Sequence, residues 1–552
     1  MTMAKALDAD VQRWLSSDPD PDTRAELQAL LDAGDDATIN ERFGAPLAFG
    51  TAGLRAAMGA GPARMNRLVV RQAAAGLAAW LVDGGHAGGL VVVGHDARHK
   101  SREFAEDTAR VLAAAGLRAT LVTGPIPTPV VAFALLYLGA VAAVQVTASH
   151  NPPQDNGYKV YASDGAQIVP PMDQEIEARI RIAASGCVQL ENLDHALITT
   201  WGPDVAAAYR RGVAELDPHT STGEQRARLK VVYTAMHGVG ADTFFATMGT
   251  AGFTDVHAVS EQRDPDPDFP TVAFPNPEEP GALDLSLNLA RTLNAQLVLA
   301  NDPDADRMAA AIPDPSVPGG WRALRGDEVG WLLADHLLNA SAAMGSQRMV
   351  ATTVVSSSLL RTIAEHHGVH YEETLTGFKW LARAALSHPE LHSVLGYEEA
   401  LGYSVGSLVR DKDGMSAALV MADLAASILA SGSTMAERLR QLAATYGTSL
   451  TNQWSIRFEG ADAQADMATL MTRLRAAPPT TLDGVDVTSV VDLAESSPAA
   501  DVLVYRMGTT ARVVVRPSGT EPKCKVYFEV LGTGDGPPSL AGLRASMEEL
   551  LS

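Results

Sequence analysis

The chain has 552 residues and a formal net charge of −22, from 43 Lys and Arg against 65 Asp and Glu. That length exceeds what one hydrophobic core supports and predicts three or four domains. A composition that is 46% hydrophobic and 20% charged is typical of globular proteins. Because an acidic surface repels nucleic acid and anionic membranes, we expect neither as a partner. A site for an anionic substrate must then be built from a local cluster of basic residues.

Neither the cysteines nor the amino terminus indicates secretion. Cys187 and Cys524 lie in no recognisable motif, which predicts no disulfide and fits a reducing cytoplasm. The first eight residues lack the apolar segment of a signal peptide. Residues 130–144 carry no charge, but they are shorter than the roughly 20 residues of a membrane span. Gly139 divides them into a predicted buried helix and a predicted buried strand.

The first part of the chain alternates helices with strands. Apolar spacing predicts a helical lead-in over residues 8–32, helices over 66–82 and 102–115, and strands within 90–98 and over 118–122. Such alternation predicts a parallel sheet with functional loops at the carboxyl ends of its strands.

Two loops of this first part carry chemistry. Residues 49–55 (FGTAGLR) contain glycines and end at Arg55, a composition that suits an anion cradle but equally a plain turn. Residues 147–153 (TASHNPP) follow an apolar strand and place Ser149 beside His150 at a sharp strand exit. That position suits a serine that receives and gives away a group. The alternative is a turn in which Ser149 bonds only its own backbone.

A second unit follows the polar, breaker-rich residues 217–223 and contains a predicted strand over 296–300. Directly after that strand come Asp302, Asp304 and Asp306. Three carboxylates at alternate positions are hard oxygen ligands that suit Mg²⁺. An EF-hand calcium loop fails, because its sixth position lacks the required glycine and its twelfth lacks the glutamate. The alternative is a solvated acidic turn, although close carboxylates repel unless something neutralises them.

A third unit begins near residue 326. Its predicted elements are a helix over 329–338, a strand over 349–355, a loop over 375–380 and a helix over 416–429. Within it, residues 395–403 (LGYEEALGY) combine two carboxylates and two tyrosines near glycines. These groups could accept hydrogen bonds from sugar hydroxyls and stack on a sugar ring, or they could form only a loop with a charged edge.

The last hundred residues are dominated by strands, which predicts a smaller α+β domain. Strands are expected over 451–458 and 511–515. The second of them runs into residues 516–523 (RPSGTEPK), where arginine, lysine, two hydroxyls and a glycine backbone would grip a phosphate. The alternative is a surface turn with a weak salt bridge.

These loops lie in separate quarters of the chain, so they meet only if they line a cleft between domains. A nucleophilic serine, a Mg²⁺ loop, a phosphate grip and a polyol-binding loop together indicate phosphoryl transfer on a sugar phosphate. In this order they resemble the α-D-phosphohexomutase superfamily, which includes phosphoglucomutase and phosphomannomutase. Segments 49–55, 234–240, 274–280 and 375–380 resemble the branch of phosphoglucomutase-2-type enzymes and phosphopentomutases.

The resemblance implies an α/β fold with three related mixed α/β domains around a deep cleft, plus a smaller C-terminal α+β domain. We expect the domains at residues 1–216, 217–325, 326–445 and 446–552. It also implies that Ser149 is phosphorylated in the active enzyme. Mg²⁺ would be held by three aspartates and a phosphoserine oxygen, that is by Asp302, Asp304, Asp306 and Ser149.

The resemblance also assigns the substrate-binding residues. The group that would hold the non-reacting phosphate comprises Arg516, Ser518, Gly519, Thr520 and Lys523. Glu398 matches the glutamate that binds the sugar, and Ala400 stands where the family has a serine. One sugar hydrogen bond is therefore missing at Ala400, and the identity of the sugar depends on it.

The mechanism implied is transfer from phosphoserine to the sugar, giving a bisphosphate that turns in the cleft and returns its other phosphate. Arg307 would offset the charge on the transferred group. Lys159 and Lys379 match positions of the general base, a role that neighbouring cations would favour by depressing the pKa. His150 is expected to act as a hydrogen-bond donor that positions the reacting groups, and Arg55 is expected to be a catalytic residue.

Glucose phosphate is the expected substrate, with mannose and pentose phosphates as alternatives. Glucose 1,6-bisphosphate or a related bisphosphate is the expected activator, and the chain is expected to be a cytoplasmic monomer or homodimer. Two functions of another class stay open. One is a Mg²⁺-dependent sugar phosphatase, although such enzymes place an aspartate where Ser149 lies. The other is a non-catalytic sugar-phosphate-binding protein.

Overall fold

The computed structural model describes residues 3–458, 463–518, 523–532 and 536–551. In these residues, three mixed sheets flanked by helices follow one another along the chain, and a fourth, antiparallel sheet comes last. The predicted fold class is therefore confirmed. The boundaries expected after residues 216, 325 and 445 fall between consecutive sheets, and we propose them as the limits of the domains.

The first sheet has the order β1-β5-β4-β2-β3-β6. Its strands are β1 (Leu54–Ala57), β2 (Leu90–His95), β3 (Arg118–Val122), β4 (Ala142–Val146), β5 (Asp155–Ala162) and β6 (Ile198–Trp201). Its helices are α1 (Met3–Ser17), α2 (Pro21–Ala33), α3 (Asp36–Phe43), α4 (Arg67–Asp83), α5 (Ser101–Ala114), α6 (Thr128–Tyr137), α7 (Met172–Ala184) and α8 (Pro203–Glu215). The uncharged residues 130–144 form most of α6 and the start of β4, as predicted.

Strands β4, β2, β3 and β6 are parallel, which agrees with the sequence pattern. The strand β5 differs, because it returns antiparallel to β4 and pairs Lys159 with Gln145. The chain between β4 and β5 is the serine loop. A hairpin of this kind lets one loop carry Ser149 while the strand after it carries Lys159 to the same end of the sheet.

The second sheet has the order β11-β10-β9-β7-β8. Its strands are β7 (Val231–Thr234), β8 (Val256–Ala258), β9 (Leu297–Asn301), β10 (Met308–Pro313) and β11 (Trp321–Ala323). Its helices are α9 (Gly223–Arg228), α10 (Ala241–Thr250) and α11 (Asp284–Leu293). Strand β10 is antiparallel to β9, so the three aspartates occupy the tight connection of a hairpin.

The third sheet has the order β13-β12-β14-β15, with β15 antiparallel to β14. Its strands are β12 (Arg348–Thr353), β13 (His370–Thr374), β14 (His392–Glu398) and β15 (Gly402–Val405). Its helices are α12 (Gly326–Ala340), α13 (Leu359–His367), α14 (Phe378–Ser387), α15 (Gly414–Ala430) and α16 (Met435–Tyr446). Within the described residues, no single helix has the length and apolarity to cross a membrane. Only α15 and α16 taken together do, and they are bent by 95°.

The fourth sheet is antiparallel in the order β16-β22-β21-β20-β19. Its region contains β16 (Ser449–Arg457), α17 (Ala463–Ala476), β17 (Thr481–Leu482), β18 (Val485–Asp486), β19 (Ser489–Asp492), β20 (Leu503–Met507), β21 (Ala511–Pro517), β22 (Lys523–Leu531) and α18 (Leu540–Leu551). A buried ion pair lies within this sheet, where Arg512 Nε donates to Glu529 Oε2 at 2.6 Å. Glu529 also links the sheet to the third domain, because its Oε1 accepts from Ser357 Oγ at 2.7 Å.

One hydrophobic cluster runs through the first three domains, with Tyr209, Tyr233 and Tyr397 buried in it. The fourth domain has a core of its own, which includes Tyr505 and Phe528. A shared core fixes the first three sheets relative to one another, because interiors are close-packed and resist small shifts. Loops at the ends of those sheets are thereby held at defined separations.

Candidate active site

Ser149 lies at a sharp turn just after β4. Its backbone has φ 52°, in the left-handed region that residues other than glycine seldom occupy, and its amide donates to Thr147 Oγ1 at 2.9 Å. The side chain is only 3% exposed. Its hydroxyl donates to Asp302 Oδ2 at 2.7 Å, so the structure joins the serine loop of the first domain directly to the aspartate loop of the second.

Arg98, which the sequence analysis did not single out, supports this turn from behind. Its guanidinium donates to the backbone carbonyls of Ser149 at 2.6 Å and Pro152 at 2.7 Å, and also to that of Asn151. Phe269 of the second domain covers the guanidinium, with the ring centre 4.9 Å away. Arg98 therefore fixes the backbone from Ser149 to Pro152 from a buried position.

The three aspartates are fully buried at the tip of the β9–β10 hairpin, and their candidate ligand oxygens lie within 4.8 Å of one another. The turn is supported by Thr128 of the first domain, whose hydroxyl donates to Asp304 Oδ2. It is also supported by Gly414, where a Cβ atom would lie 2.5 Å from the carbonyl oxygen of Arg307. Both neighbours were missed from sequence, because they approach the hairpin from distant parts of the chain.

Each carboxylate has a distinct set of partners. Lys159 Nζ donates to Asp304 Oδ2 at 2.6 Å and to Asp306 Oδ2 at 2.8 Å. The other oxygen of each, Oδ1, is buried and has no hydrogen-bond partner among the described residues. Buried acceptors without donors are costly unless a cation satisfies them. These two oxygens and those of Asp302 therefore fit a hard divalent ion such as Mg²⁺.

The electrostatics of the cluster follow from burial and from neighbouring charge. Burial, with Asp304 and Asp306 close by, raises the pKa of Asp302 well above its ordinary value. Burial also disfavours ionisation of Asp306, but Lys159 and Lys412 outweigh it and lower that pKa. Lys412, also missed from sequence, lies 3.3 Å from Asp306 Oδ2.

The surroundings of Lys159 raise its pKa, although the nearby cation Lys412 acts to lower it. Burial alone would lower this pKa, but Asp304 and Asp306 outweigh it and raise the pKa. In this structure Lys159 is a buried ammonium that balances two carboxylates. A proton held in that way is not released readily to a substrate, and the role of Lys159 as general base stays a prediction.

The other predicted residues of the serine side lie around the same loop. His150 Nδ1 is 3.2 Å from Ser149 Oγ, and burial, Arg307 and Arg55 lower the imidazole pKa well below its usual value. Arg55 donates to Asn151 Oδ1 at 3.2 Å. The backbone amide of Arg307 donates to Asp302 Oδ1 at 3.0 Å. The structure thus brings all three predicted cationic or imidazole groups to one place.

The sugar loop is the connection between β14 and β15. Glu398 accepts from the amide of Gly377 at 2.8 Å, and burial raises its pKa. The expectation that the tyrosines stack on a sugar is wrong, because Tyr397 and Tyr403 are 0% exposed and point into the core of the third domain. Ala400, two residues after Glu398, is half-buried in the turn.

Lys379, at the start of α14, reaches across the cleft to the hydroxyl of Thr51 in the 49–55 loop. Burial lowers its pKa, Asp173 and Glu398 act in the opposite sense, and Arg516 of the fourth domain lowers it further. The residues acting on Lys379 thus come from the first, third and fourth domains. Lys379 is the predicted lysine whose surroundings lower the pKa, as a general base requires.

The predicted phosphate grip is only partly described. Arg516 and Ser518 lie at the end of β21 and Lys523 begins β22, and the amide of Ser518 donates to the carbonyl of Lys523 at 2.8 Å. Gly519 and Thr520 lie outside the described residues. The observed geometry is a hairpin whose two ends carry Arg516 and Lys523.

Comparison with known proteins agrees with this geometry. Four profiles of the phosphoglucomutase/phosphomannomutase family match in order: alpha/beta/alpha domain I at residues 46–185, domain II at 207–316, domain III at 325–446 and the C-terminal domain at 485–534. The chain is therefore an enzyme of the class that isomerises sugar phosphates by intramolecular phosphoryl transfer. It belongs to the phosphoglucomutase/phosphomannomutase family, within the α-D-phosphohexomutase superfamily, as the loops predicted.

Individual relatives cover nearly the whole chain. A "Probable phosphomannomutase" of Haemophilus influenzae is 42% identical over 473 residues, 85% of this chain and 93% of that protein. A "Probable phosphoribomutase" of Schizosaccharomyces pombe is 37% identical over 546 residues, 94% of this chain and 92% of that protein. The crystal structure of a phosphoglucomutase/phosphomannomutase family protein from Burkholderia thailandensis has a TM-score of 0.69 at 20% identity, covering 91% and 96% of the two chains, and shows the fold.

Proposed function

We propose that this chain is a phosphosugar mutase that moves a phosphoryl group between the anomeric oxygen and the terminal hydroxyl of an aldose through Ser149. The observation that carries the proposal is the 2.7 Å hydrogen bond between Ser149 Oγ and Asp302 Oδ2. It joins a nucleophile held in a strained turn to a cluster of buried carboxylates. That pairing is what phosphoryl transfer from a serine with a divalent ion requires.

In the proposed reaction, the O–P bond of phosphorylated Ser149 breaks as a sugar hydroxyl forms a new one, and the hydroxyl proton passes to a base. The bisphosphorylated sugar then turns in the cleft, and its other phosphoryl group returns to Ser149. Bound at the three aspartates, Mg²⁺ would supply positive charge against the charge that develops on the phosphoryl oxygens. Arg307 and Arg55 both act electrostatically on His150, next to Ser149, and would also offset the charge on the phosphoryl oxygens.

We assign the proton transfer to Lys379. Lys159 is paired with two carboxylates, whereas burial makes the ammonium form of Lys379 less favourable. Lys379, a residue of the third domain, also contacts Thr51 of the 49–55 loop, and a sugar held by Glu398 would present its hydroxyls there. Arg516, Ser518 and Lys523, with Gly519 and Thr520, are proposed to hold the phosphate that does not react.

Glucose 1-phosphate is the proposed substrate, with glucose 1,6-bisphosphate as activator. A pentose 1-phosphate is the second candidate, and two observations favour it. Ala400 removes a hydroxyl from the sugar loop, and both tyrosines of that loop are buried, so Glu398 would hold the sugar with few neighbours from this loop. The relative from Schizosaccharomyces pombe is named for ribose phosphate.

The test is a panel of 1-phosphates of glucose, mannose, ribose and deoxyribose, assayed with Mg²⁺ and catalytic glucose 1,6-bisphosphate. We expect isomerisation, with the highest kcat/KM for glucose 1-phosphate, and a higher value for ribose or deoxyribose would establish the second candidate. Ser149→Ala should abolish turnover, whereas Ser163→Ala, at an exposed serine of the same domain, should not change it. Unchanged isomerisation by Ser149→Ala would refute the mechanism, and stoichiometric release of inorganic phosphate would indicate a phosphatase.

A further inference from the structure

A second group of metal-binding side chains lies at the edge of the third sheet. His370 and Glu372 alternate along the edge strand β13 and therefore point to the same side of the sheet. His388, just after α14, completes the group. One donor atom from each of these three residues lies within 4.8 Å of the others, and none of the three belongs to the active site described above.

The distances match those that a small transition-metal ion imposes. Zn–N and Zn–O bonds of about 2.0–2.2 Å in a tetrahedral site place neighbouring donor atoms about 3.3–3.6 Å apart. Here Glu372 Oε2 lies 3.0 Å from His370 Nε2 and 3.6 Å from His388 Nε2. The two imidazole rings have their centres 4.6 Å apart. Because the three donor atoms lie within 4.8 Å of one another, rotation of the side chains would bring them to one ion.

A fourth residue supports the orientation of a ligand. Glu390 Oε1 lies 3.3 Å from Nδ1 of His388, the nitrogen that does not face Glu372. Metal-binding histidines commonly donate their second ring nitrogen to a carboxylate, which fixes the tautomer and makes the first nitrogen a better ligand. The side chains of His370, Glu372 and His388 are 37%, 34% and 30% exposed, so an ion can enter from solvent.

We propose that His370, Glu372 and His388 form a binding site for Zn²⁺ or a similar transition-metal ion, with water in the remaining position. Two imidazoles and one carboxylate favour such an ion over Mg²⁺, which prefers oxygen ligands. The ion would tie the edge strand β13 to the carboxyl end of α14. Lys379 lies at the other end of α14, a helix of ten residues and about 15 Å. We therefore expect a stabilising site that turnover does not require.

The test uses the full chain in saturating Mg²⁺, so that the aspartate cluster is occupied, and titrates Zn²⁺ by calorimetry. We expect one Zn²⁺ per chain, a raised unfolding temperature with Zn²⁺, and visible absorption bands of tetrahedral geometry when Co²⁺ replaces it. His370→Ala, Glu372→Gln and His388→Ala should each weaken Zn²⁺ binding at least tenfold, and Glu390→Gln should weaken it by roughly tenfold to a hundredfold. The matched control is His392→Ala, an exposed histidine of the same sheet.

Two outcomes would overturn the proposal. One is a Zn²⁺ affinity that changes less than twofold in His370→Ala and His388→Ala, as in the control. The other is binding that survives in those variants but disappears in Asp304→Asn, which would place the Zn²⁺ in the aspartate cluster. Unfolding temperatures measured without metal check the folding of each variant, and His388→Gln provides a substitution of similar size should the alanine variant be unstable.

Discussion

Arg98→Met is expected to impair turnover far more than it impairs folding. The methionine keeps an unbranched apolar stem under Phe269 but removes the guanidinium donors by which Arg98 holds the serine loop. Two of those donors bind the carbonyls of Ser149 and Asn151, within the turn that carries the nucleophile. Without them, the left-handed backbone at Ser149 keeps the bond from its amide to Thr147 Oγ1 but loses the donors to its carbonyl side, and it relaxes towards commoner conformations.

The magnitude follows from these two bonds. A hydrogen bond from a charged donor contributes about 1.5–3 kcal/mol, and since the loop carbonyls regain some water, we use the lower limit for each. Losing both costs about 3 kcal/mol in the stability of the reactive arrangement. At about 1.4 kcal/mol for each power of ten, this corresponds to a loss of roughly two powers of ten in kcat/KM. We expect most of the loss in kcat rather than in KM, because Arg98 does not line the proposed sugar-binding surface.

Arg226→Met is the matched control. Arg226 is as buried as Arg98 and lies over Phe253 in the same manner, but its partners are Asp217 and Asp423. We expect this variant to lose stability while keeping kcat at temperatures where it is folded. The assay compares kcat, KM, phosphorylation of Ser149 by mass spectrometry, and unfolding temperature. A normal kcat with a lowered unfolding temperature in Arg98→Met would refute the reasoning and make Arg98 purely structural.

Two further predictions concern single side chains. Burial raises the pKa of Asp327 to about 7, so its contribution to stability is present below about pH 4 and is lost as the pH rises to 7. Asp327→Asn should therefore raise the unfolding free energy at pH 8, by up to roughly 4 kcal/mol. It should also flatten the dependence of the unfolding free energy on pH between pH 4 and 7. Urea unfolding measured across that pH range would contradict this prediction if the unfolding free energies of the two proteins change in parallel. Lys379→Arg keeps the charge but holds its proton, so kcat should fall by roughly a hundredfold or more with little change in KM. A raised KM at normal kcat would show that Lys379 only binds substrate.

The functional loops were predictable because each carries its chemistry within a few residues. Asp302, Asp304 and Asp306 follow one another after an apolar strand, and the serine and phosphate loops also follow predicted strands. Strand ends of α/β sheets gather at one edge, so local patterns were sufficient to predict a shared cleft and the family. These loops could be expected to meet across domains without further information, because each loop type has a role in the same reaction.

What the sequence did not reveal depends on contacts between distant segments. Arg98 lies 51 positions from Ser149, and Thr128 lies 176 positions from Asp304, so no local pattern connects them. The error over Tyr397 has a different cause. It was interpreted as part of a loop, but it lies on β14 beside Glu398, and successive side chains of a strand point to opposite faces. Its partner across the hairpin is Tyr403, so both rings enter the core while Glu398 faces the cleft.

The charge balance around the aspartates favours the ammonium form of Lys159. Counted with all three carboxylates ionised, the state in which they would hold a divalent ion, the cluster carries three negative charges, and the cations that act on Asp306 are Lys159, Lys412 and Arg307. The cluster is thus close to neutral by itself and offers little attraction to a phosphoserine, which carries about −1.5 to −2 at neutral pH. A bound divalent ion adds two positive charges and matches the phosphoserine. Had Lys159 been a neutral base, the cluster would have kept an excess negative charge opposite the phosphate, so its ammonium form serves transfer at Ser149 better than its free amine.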